Sequence, residues 1–124
     1  MKLLFLALAA LGIWVLAGGK GDKVLDAQTF QAELEKQSGV LIDVRTPKEF
    51  NEGHLKGALN MNFFDEDFKD KVAALDKNKI YFVYCRSGGR SAKSAKIFKE
   101  HGMTAFDLAG GILDWKKKKM PLEN

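Results

Sequence analysis

The residues best suited to chemistry lie in one short stretch, Cys85-Arg86-Ser87-Gly88-Gly89-Arg90-Ser91. Cys85 is the only cysteine in the 124-residue chain, and it stands between an apolar run and a glycine pair. The chain has 20 basic residues but uses arginine sparingly, and Arg86 and Arg90 lie within this stretch. Guanidinium groups bind oxyanions through paired hydrogen bonds, and nearby cations favour a thiolate. The stretch therefore predicts a nucleophilic cysteine that acts on an anionic substrate.

Two predicted elements position this stretch. Ile80–Tyr84 is an unbroken apolar and aromatic run, which is typical of a parallel strand buried on both faces. Ser91–His101 has helical spacing of its apolar residues, and Gly102 follows as a stop signal. A strand that turns tightly into a helix aims backbone N–H groups and the positive end of the helix dipole at one point. We therefore expect an anionic sulfur on Cys85, in preference to a cysteine that is only a small buried hydrophobe.

Three motifs, in order, resemble those of the rhodanese sulfurtransferases. The stretch that begins at Cys85 is similar to the loop C-R-x-G-x-R or T of the thiosulfate-using members. Residues 41–60 are similar to the N-terminal signature of the family, and residues 110–115 are similar to its C-terminal signature. The resemblance implies an α/β fold with a five-stranded parallel sheet. Strand and helix patterns that alternate along the chain independently indicate a parallel sheet with helices on both faces.

The resemblance implies a sulfurtransferase in which Cys85 is the catalytic residue. Its thiolate would take sulfur from thiosulfate or another sulfane-sulfur donor, form a persulfide, and pass the sulfur to a small thiol, cyanide or a protein thiol. The arginines would orient the sulfonate of the donor, and backbone N–H groups would stabilise the sulfur anion. No organic cofactor or metal is implied. The implied substrate-binding residues are Arg86, Ser87, Gly88, Gly89, Arg90 and Ser91.

Two other classes fit the same loop. Phosphatases and arsenate reductases share a cysteine loop, but phosphatases of this shape place five residues between cysteine and arginine. This chain has Arg86, Ser87, Gly88 and Gly89 between Cys85 and Arg90, and the shorter loop favours a single sulfur atom over a phosphoryl group. The other alternative is a rhodanese-like binding module that carries sulfur to a partner or docks one. The intact cysteine argues against an inert module, but it also suits a slow sulfur carrier.

Three residues are expected to support the site. Asp43 interrupts an apolar run over Val40–Val44, and the resemblance implies that Asp43 and Arg45 pair to tie the fold together. A direct chemical role for Asp43 is the alternative. His54 follows Gly53, and a hydrogen-bonded structural histidine is favoured over a proton shuttle. No second ligand stands at metal-binding spacing from His54, so the sequence predicts no metal site.

Local signals predict the remaining elements. Asp26 and Asp65 are each expected to cap a helix. Strands are predicted at Lys23–Asp26, Ala58–Met61 and Ala105–Leu108, and helices at Ala27–Lys36, after the capping box Thr46–Glu49, and at Ile112–Lys118. Three phenylalanines are expected to be core residues or, alternatively, an aromatic rim to the active pocket: Phe63, Phe64 and Phe68.

Composition and charge favour one globular domain that we expect to be a monomer. The net charge is +4, with 16 acidic residues interspersed among the 20 basic ones, which gives no reason to expect nucleic-acid binding. The densest basic run, Lys116–Lys119, is expected to be a solvated helix end, with a membrane or acidic-partner contact as the alternative.

The first 19 residues differ in kind from the rest. Residues 3–19 are uncharged and rich in leucine and small residues, which is typical of a signal peptide or an N-terminal anchor. Gly19 stands where a lipoprotein box would require cysteine, so lipidation does not follow. We expect residues 20–22 to be a linker and residues 23–124 to be the rhodanese domain. The protein is then expected to be exported, either periplasmic or anchored at the cell surface, with membrane contact only through this segment.

Overall fold

The computed structural model describes residues 22–124, which form one larger sheet, a small second sheet and five helices. The strands are β1 (Asp22–Leu25), β2 (Val40–Asp43), β3 (His54–Leu55), β4 (Leu59–Asn60), β5 (Ile80–Tyr84), β6 (Thr104–Leu108) and β7 (Leu122–Glu123). The helices are α1 (Ala27–Lys36), α2 (Pro47–Asn51), α3 (Phe68–Ala73), α4 (Gly89–Glu100) and α5 (Gly111–Lys117). The segment interpreted as a signal peptide or anchor lies outside the described residues.

Five strands form a parallel sheet in the order β1-β6-β5-β2-β4, with β5 in the middle. Strands β2 and β5 pair with Val40 opposite Tyr81 and Asp43 opposite Tyr84. The carboxyl ends of these two strands therefore lie side by side, and Cys85 follows directly at this edge. Ligands of open parallel sheets bind at this edge. The predicted fold class, a five-stranded parallel sheet within an α/β fold, is confirmed.

Side chains of β5 and the residue after it alternate between two cores. Tyr81, Val83 and Cys85 pack in the core that contains buried residues of α3 and α4. Phe82 and Tyr84 pack in the other core, with buried residues of α1 and α5. Helices thus cover both faces of the sheet, which explains why β5 has no polar alternation.

A buried ion pair joins β2 to its neighbours. The Arg45 guanidinium contacts the Asp43 carboxylate at 2.8 Å and also donates to the carbonyl oxygen of Gly53 at 2.7 Å. The Tyr84 hydroxyl donates to Asp43 Oδ2 at 2.6 Å and accepts from the backbone N–H of Leu55 at 3.0 Å. Burial raises the pKa of Tyr84, and the charge of Asp43 adds to this, so the hydroxyl stays protonated. The ion pair expected from the sequence is present, and it ties β2, β3 and β5 together.

The helix after β4 differs from the sequence expectation. Helix α3 begins at Phe68 with Asp67 at its N-cap, so the prediction that Asp65 caps this helix was wrong. The Asp65 carboxylate instead accepts from Asn62 Nδ2 at 3.2 Å and contacts Lys71 Nζ at 3.3 Å. The Asp65 side chain thus bonds the Asn62 and Lys71 side chains and does not cap the helix.

The second sheet was not predicted. Strands β3 and β7 form an antiparallel pair in which His54 lies opposite Glu123 and Leu55 lies opposite Leu122. This pair fastens the end of the chain to the segment that follows α2. Among residues 22–124, no helix combines the length and the apolar character needed to cross a membrane.

Candidate active site

The middle strand delivers Cys85 to the carboxyl edge of the sheet. Cys85 follows β5 directly, and its side chain is only 1% exposed. Helix α4 begins at Gly89, two residues earlier than the sequence predicted, so the connection is only a few residues long. A short strand-to-helix turn places the first N–H groups of α4 next to the cysteine.

Two donors of this loop contact the sulfur. The backbone N–H of Gly88 donates to Cys85 Sγ at 3.0 Å. The Ser91 hydroxyl lies 3.4 Å from Sγ and 3.3 Å from the carbonyl oxygen of Gly88, so its single proton serves one of these acceptors at a time. Gly88 has φ of 120°, which a residue with a side chain rarely adopts. The left-handed turn at Gly88 thus aims an N–H group at the sulfur, and the arrangement suits a sulfur anion.

Arg90 is held by a residue that the sequence did not place at the site. Its Nη1 donates to Glu49 Oε1 at 2.8 Å, and its Nη2 donates to Glu49 Oε2 at 3.0 Å. The hydrogen bond from Arg90 lowers the pKa of Glu49 to about 2, so the carboxylate is charged throughout the neutral range. The guanidinium also lies 5.5 Å from the ring centroid of Phe64. The predicted role of Arg90 in orienting a donor stays a prediction, because a donor would meet a guanidinium that is already paired.

Glu49 links two elements of the site. Its carboxylate accepts from the backbone N–H and the hydroxyl of Thr46, while Thr46 Oγ1 accepts from the backbone N–H of Glu49. This is the capping box that the sequence predicted at the start of α2. The same carboxylate pairs with Arg90 in the first turn of α4. The start of α2 is thereby fastened to the start of the helix that follows the cysteine.

Arg86 differs from Arg90 in its surroundings. Its side chain is exposed, and it makes no hydrogen bond or ion pair with any of residues 22–124. Ser87 and Gly89 are exposed beside it, whereas Ser91 is fully buried. Of the predicted substrate-binding residues, Gly88 and Ser91 contact the sulfur of Cys85, whereas Arg90 pairs with Glu49. Arg86 is the guanidinium of this loop that is open to a ligand.

Phe64 is the phenylalanine that lies exposed beside a loop arginine. Phe64 is 65% exposed and lies against Arg90, whereas Phe68 is buried and Phe63 packs on the core. Of the three phenylalanines, Phe64 fits the rim alternative, while the other two are core residues.

His54 lies in the small sheet and makes structural contacts. Its ring stacks on Phe50 with 3.8 Å between centroids, and its Nδ1 lies 3.0 Å from the carbonyl oxygen of Phe50. Its Nε2 is 3.7 Å from a carboxylate oxygen of Glu123. Within residues 22–124, no three side chains of the metal-binding types cluster to form a metal site.

The chain is an α/β protein whose parallel sheet is covered by helices on both faces. Cys85 lies at the end of the middle strand, where the Gly88 N–H and the Ser91 hydroxyl contact its sulfur. Residues 26–118 match the model of the rhodanese-like domain family. The chain belongs to this family.

Known proteins similar to this chain include sulfurtransferases. The thiosulfate sulfurtransferase PspE of Escherichia coli is 36% identical over 73 residues, which cover 59% of this chain and 70% of PspE. The chloroplastic thiosulfate sulfurtransferase 16 of Arabidopsis thaliana is 34% identical over 91 residues, with 64% of this chain and 76% of the relative covered. A solved rhodanese-related protein from Thermoplasma volcanium superposes with a TM-score of 0.72 at 27% identity, covering 82% of this chain and 97% of that protein. Family and relatives together support sulfurtransferase activity in general.

Proposed function

We propose that this protein is a thiosulfate sulfurtransferase that works through a persulfide on Cys85. The observation that carries the proposal is the N–H of Gly88, which lies 3.0 Å from Cys85 Sγ at the start of α4. Backbone donors fixed before the reaction stabilise an anion without reorganisation. The names of PspE and its Arabidopsis counterpart support thiosulfate as the donor.

The reaction needs two displacements at sulfur. The Cys85 thiolate attacks the outer sulfur of thiosulfate, the S–S bond of the donor breaks, and sulfite leaves with the bonding electron pair. The acceptor, a thiolate or cyanide, then attacks the outer sulfur of the persulfide and releases the Cys85 thiolate. No net oxidation is required. Each step leaves negative charge on a sulfur beside the loop, which is where the Gly88 N–H, the Ser91 hydroxyl and the start of α4 act.

Arg86 is the group best placed to hold the sulfonate of the donor. A planar guanidinium can give two parallel hydrogen bonds to an oxyanion, which an ammonium cannot. Arg86 is exposed and free of partners among residues 22–124, whereas the terminal nitrogens of Arg90 hold Glu49. We therefore assign donor binding first to Arg86. Arg90 then orients the donor indirectly, by fixing the loop.

Arg86→Lys is expected to raise the KM for thiosulfate about tenfold, equivalent to about 1.4 kcal/mol of binding, because the charge stays but the paired donors are lost. Arg90→Lys is the matched comparison and is expected to change KM less, since Arg90 already serves Glu49. Steady-state kinetics with varied thiosulfate measure both. An unchanged KM in Arg86→Lys, or a larger effect at Arg90, would contradict the assignment.

Intact mass spectrometry tests the proposed function directly. Incubation with thiosulfate is expected to add one sulfur atom to the protein and release one sulfite, and cyanide is then expected to remove that sulfur. The same preparation is expected to leave an aryl phosphate intact, because the four-residue loop between Cys85 and Arg90 is short for a phosphoryl group. Stable sulfur loading without turnover would favour a sulfur carrier. Phosphate hydrolysis through Cys85 would favour the phosphatase alternative.

We further propose that residues 1–19 export or anchor the protein, as their uncharged leucine-rich composition suggests. A truncated protein that begins at Gly21 is then expected to fold and to keep kcat/KM within about twofold, since the segment would lie outside the domain. Urea unfolding and thiosulfate kinetics measure this, and cell fractionation of the full chain measures its location. Aggregation of the truncated protein, or a cytoplasmic full-length protein, would refute this part of the proposal.

A further inference from the structure

Helix α5 contacts the cysteine loop through backbone groups. The N–H of Ile112 donates to the carbonyl oxygen of Cys85 at 2.9 Å, and the N–H of Leu113 donates to the carbonyl oxygen of Arg86 at 3.2 Å. The first N–H groups of a helix have no partner within the helix. In α5 two of these groups donate to the carbonyl oxygens of Cys85 and Arg86, so the start of the helix holds the loop in place.

Gly111 makes this approach possible. Its φ is +60°, and a Cβ placed on it would lie 2.3 Å from the carbonyl oxygen of Arg86 and 2.6 Å from that of Cys85. Both contacts are with backbone atoms, so no change of rotamer could relieve them. Any side chain at this position must therefore displace either the cysteine loop or the start of α5.

The contact also fixes the direction of two N–H groups. The C=O and N–H of a trans peptide point in opposite directions, and residues 22–124 contain no cis peptide bond. Because the carbonyls of Cys85 and Arg86 face α5, the N–H groups of Arg86 and Ser87 face away from it. These N–H groups directly precede the Gly88 N–H that contacts the sulfur.

We propose that Gly111 is a positioning residue for sulfur transfer, because its missing side chain lets α5 clamp the carbonyls of Cys85 and Arg86 and so set the N–H donors of the loop. The inference rests on the proposed function, since it assigns those donors to the sulfur anion. Gly111, within the C-terminal signature at residues 110–115, thus acts on the catalytic loop.

Gly111→Ala is compared with Gly102→Ala in the full-length protein. Gly102 has φ of +79°, and a Cβ there meets nothing within 4 Å, so the control carries similar backbone strain without a clash. The rate of persulfide formation per folded molecule is expected to fall about 100-fold in Gly111→Ala and to stay within about twofold in Gly102→Ala. A wild-type rate in Gly111→Ala, or equal losses in both variants, would overturn the proposal.

The amide resonance of Gly88 separates positioning from general stability. It is expected to shift in Gly111→Ala and to stay in place in Gly102→Ala, because Gly88 is the donor to Sγ. This readout needs no sulfur donor. If thiosulfate transfers no sulfur to the wild-type protein, the proposed function fails. The Gly88 resonance would still test whether Gly111 positions the loop. An unshifted resonance in Gly111→Ala would overturn the proposed role of Gly111.

If Gly111→Ala does not fold, hydrogen exchange in the unmodified protein tests the hydrogen bonds between α5 and the cysteine loop. The amides of Ile112 and Leu113 lie in the first turn of α5, where amides normally lack partners and exchange freely. The clamp predicts that both exchange at least about tenfold more slowly than in an unstructured peptide of the same sequence. Exchange at the unprotected rate would overturn the proposal.

Discussion

Cys85→Ser is expected to abolish persulfide formation and sulfite release while the fold stays intact. Serine keeps the size and the hydrogen-bonding position, but its hydroxyl is a far weaker nucleophile and does not form a persulfide. Cys85 is the only cysteine in the chain, so no other thiol can take over. Its side chain is buried at the loop, where the Gly88 N–H and the Ser91 hydroxyl can bond an oxygen as well as a sulfur.

Intact mass after thiosulfate, together with a sulfite assay, measures this loss, and urea unfolding serves as the control for folding. The variant is expected to unfold within about 1 kcal/mol of the wild-type protein, as is usual for a single substitution without a large change in volume. A sulfur adduct on Cys85→Ser, or undiminished turnover, would show that the chemistry takes place elsewhere.

Asp43→Asn is expected to lower the free energy of unfolding by about 3–5 kcal/mol. Asp43 is fully buried, and its carboxylate accepts hydrogen bonds from Arg45 and Tyr84. The amide would leave the guanidinium of Arg45, which is 5% exposed, without a counterion. The amide nitrogen would also replace one carboxylate oxygen, so the donors that bonded that oxygen would lose their acceptor.

Asp114→Asn is the matched control for this variant. Asp114 contacts Lys118 at 3.1 Å on the accessible surface of α5, and removal of such a pair is expected to cost less than about 1 kcal/mol. Urea unfolding at neutral pH compares the two variants. A loss of similar small size in both would mean that the buried ion pair contributes little to stability.

Much of the fold followed from local sequence patterns. The apolar runs that became β2 and β5 are buried on both faces, so they carry a clear signal for a parallel sheet. Helix α1 begins at Ala27 with Asp26 accepting from the backbone N–H of Thr29, as the capping signal predicted. These features depend on residues that are close together in the sequence, so the sequence alone predicts them.

The features that the sequence did not reveal depend on distant residues. Glu49 and Arg90 pair across 41 positions, and no spacing rule joins them. Strands β3 and β7 have two residues each, which is too short for a periodic pattern. The clash that makes glycine necessary at Gly111 involves the backbone of Arg86, which only the folded chain brings near.

The two cores impose a constraint on chain length as well as on residue type. Tyr84 and Cys85 are adjacent, yet Tyr84 packs with α1 and α5 while Cys85 packs with α3 and α4. Because side chains of a strand alternate with a period of two, deletion or insertion of one residue before Tyr84 would exchange these faces. A deletion would bring Cys85 to the place of Tyr84, opposite Asp43, and an insertion would bring Tyr84 to the place of Cys85. The number of residues in β5 therefore determines which face of the sheet carries the thiol.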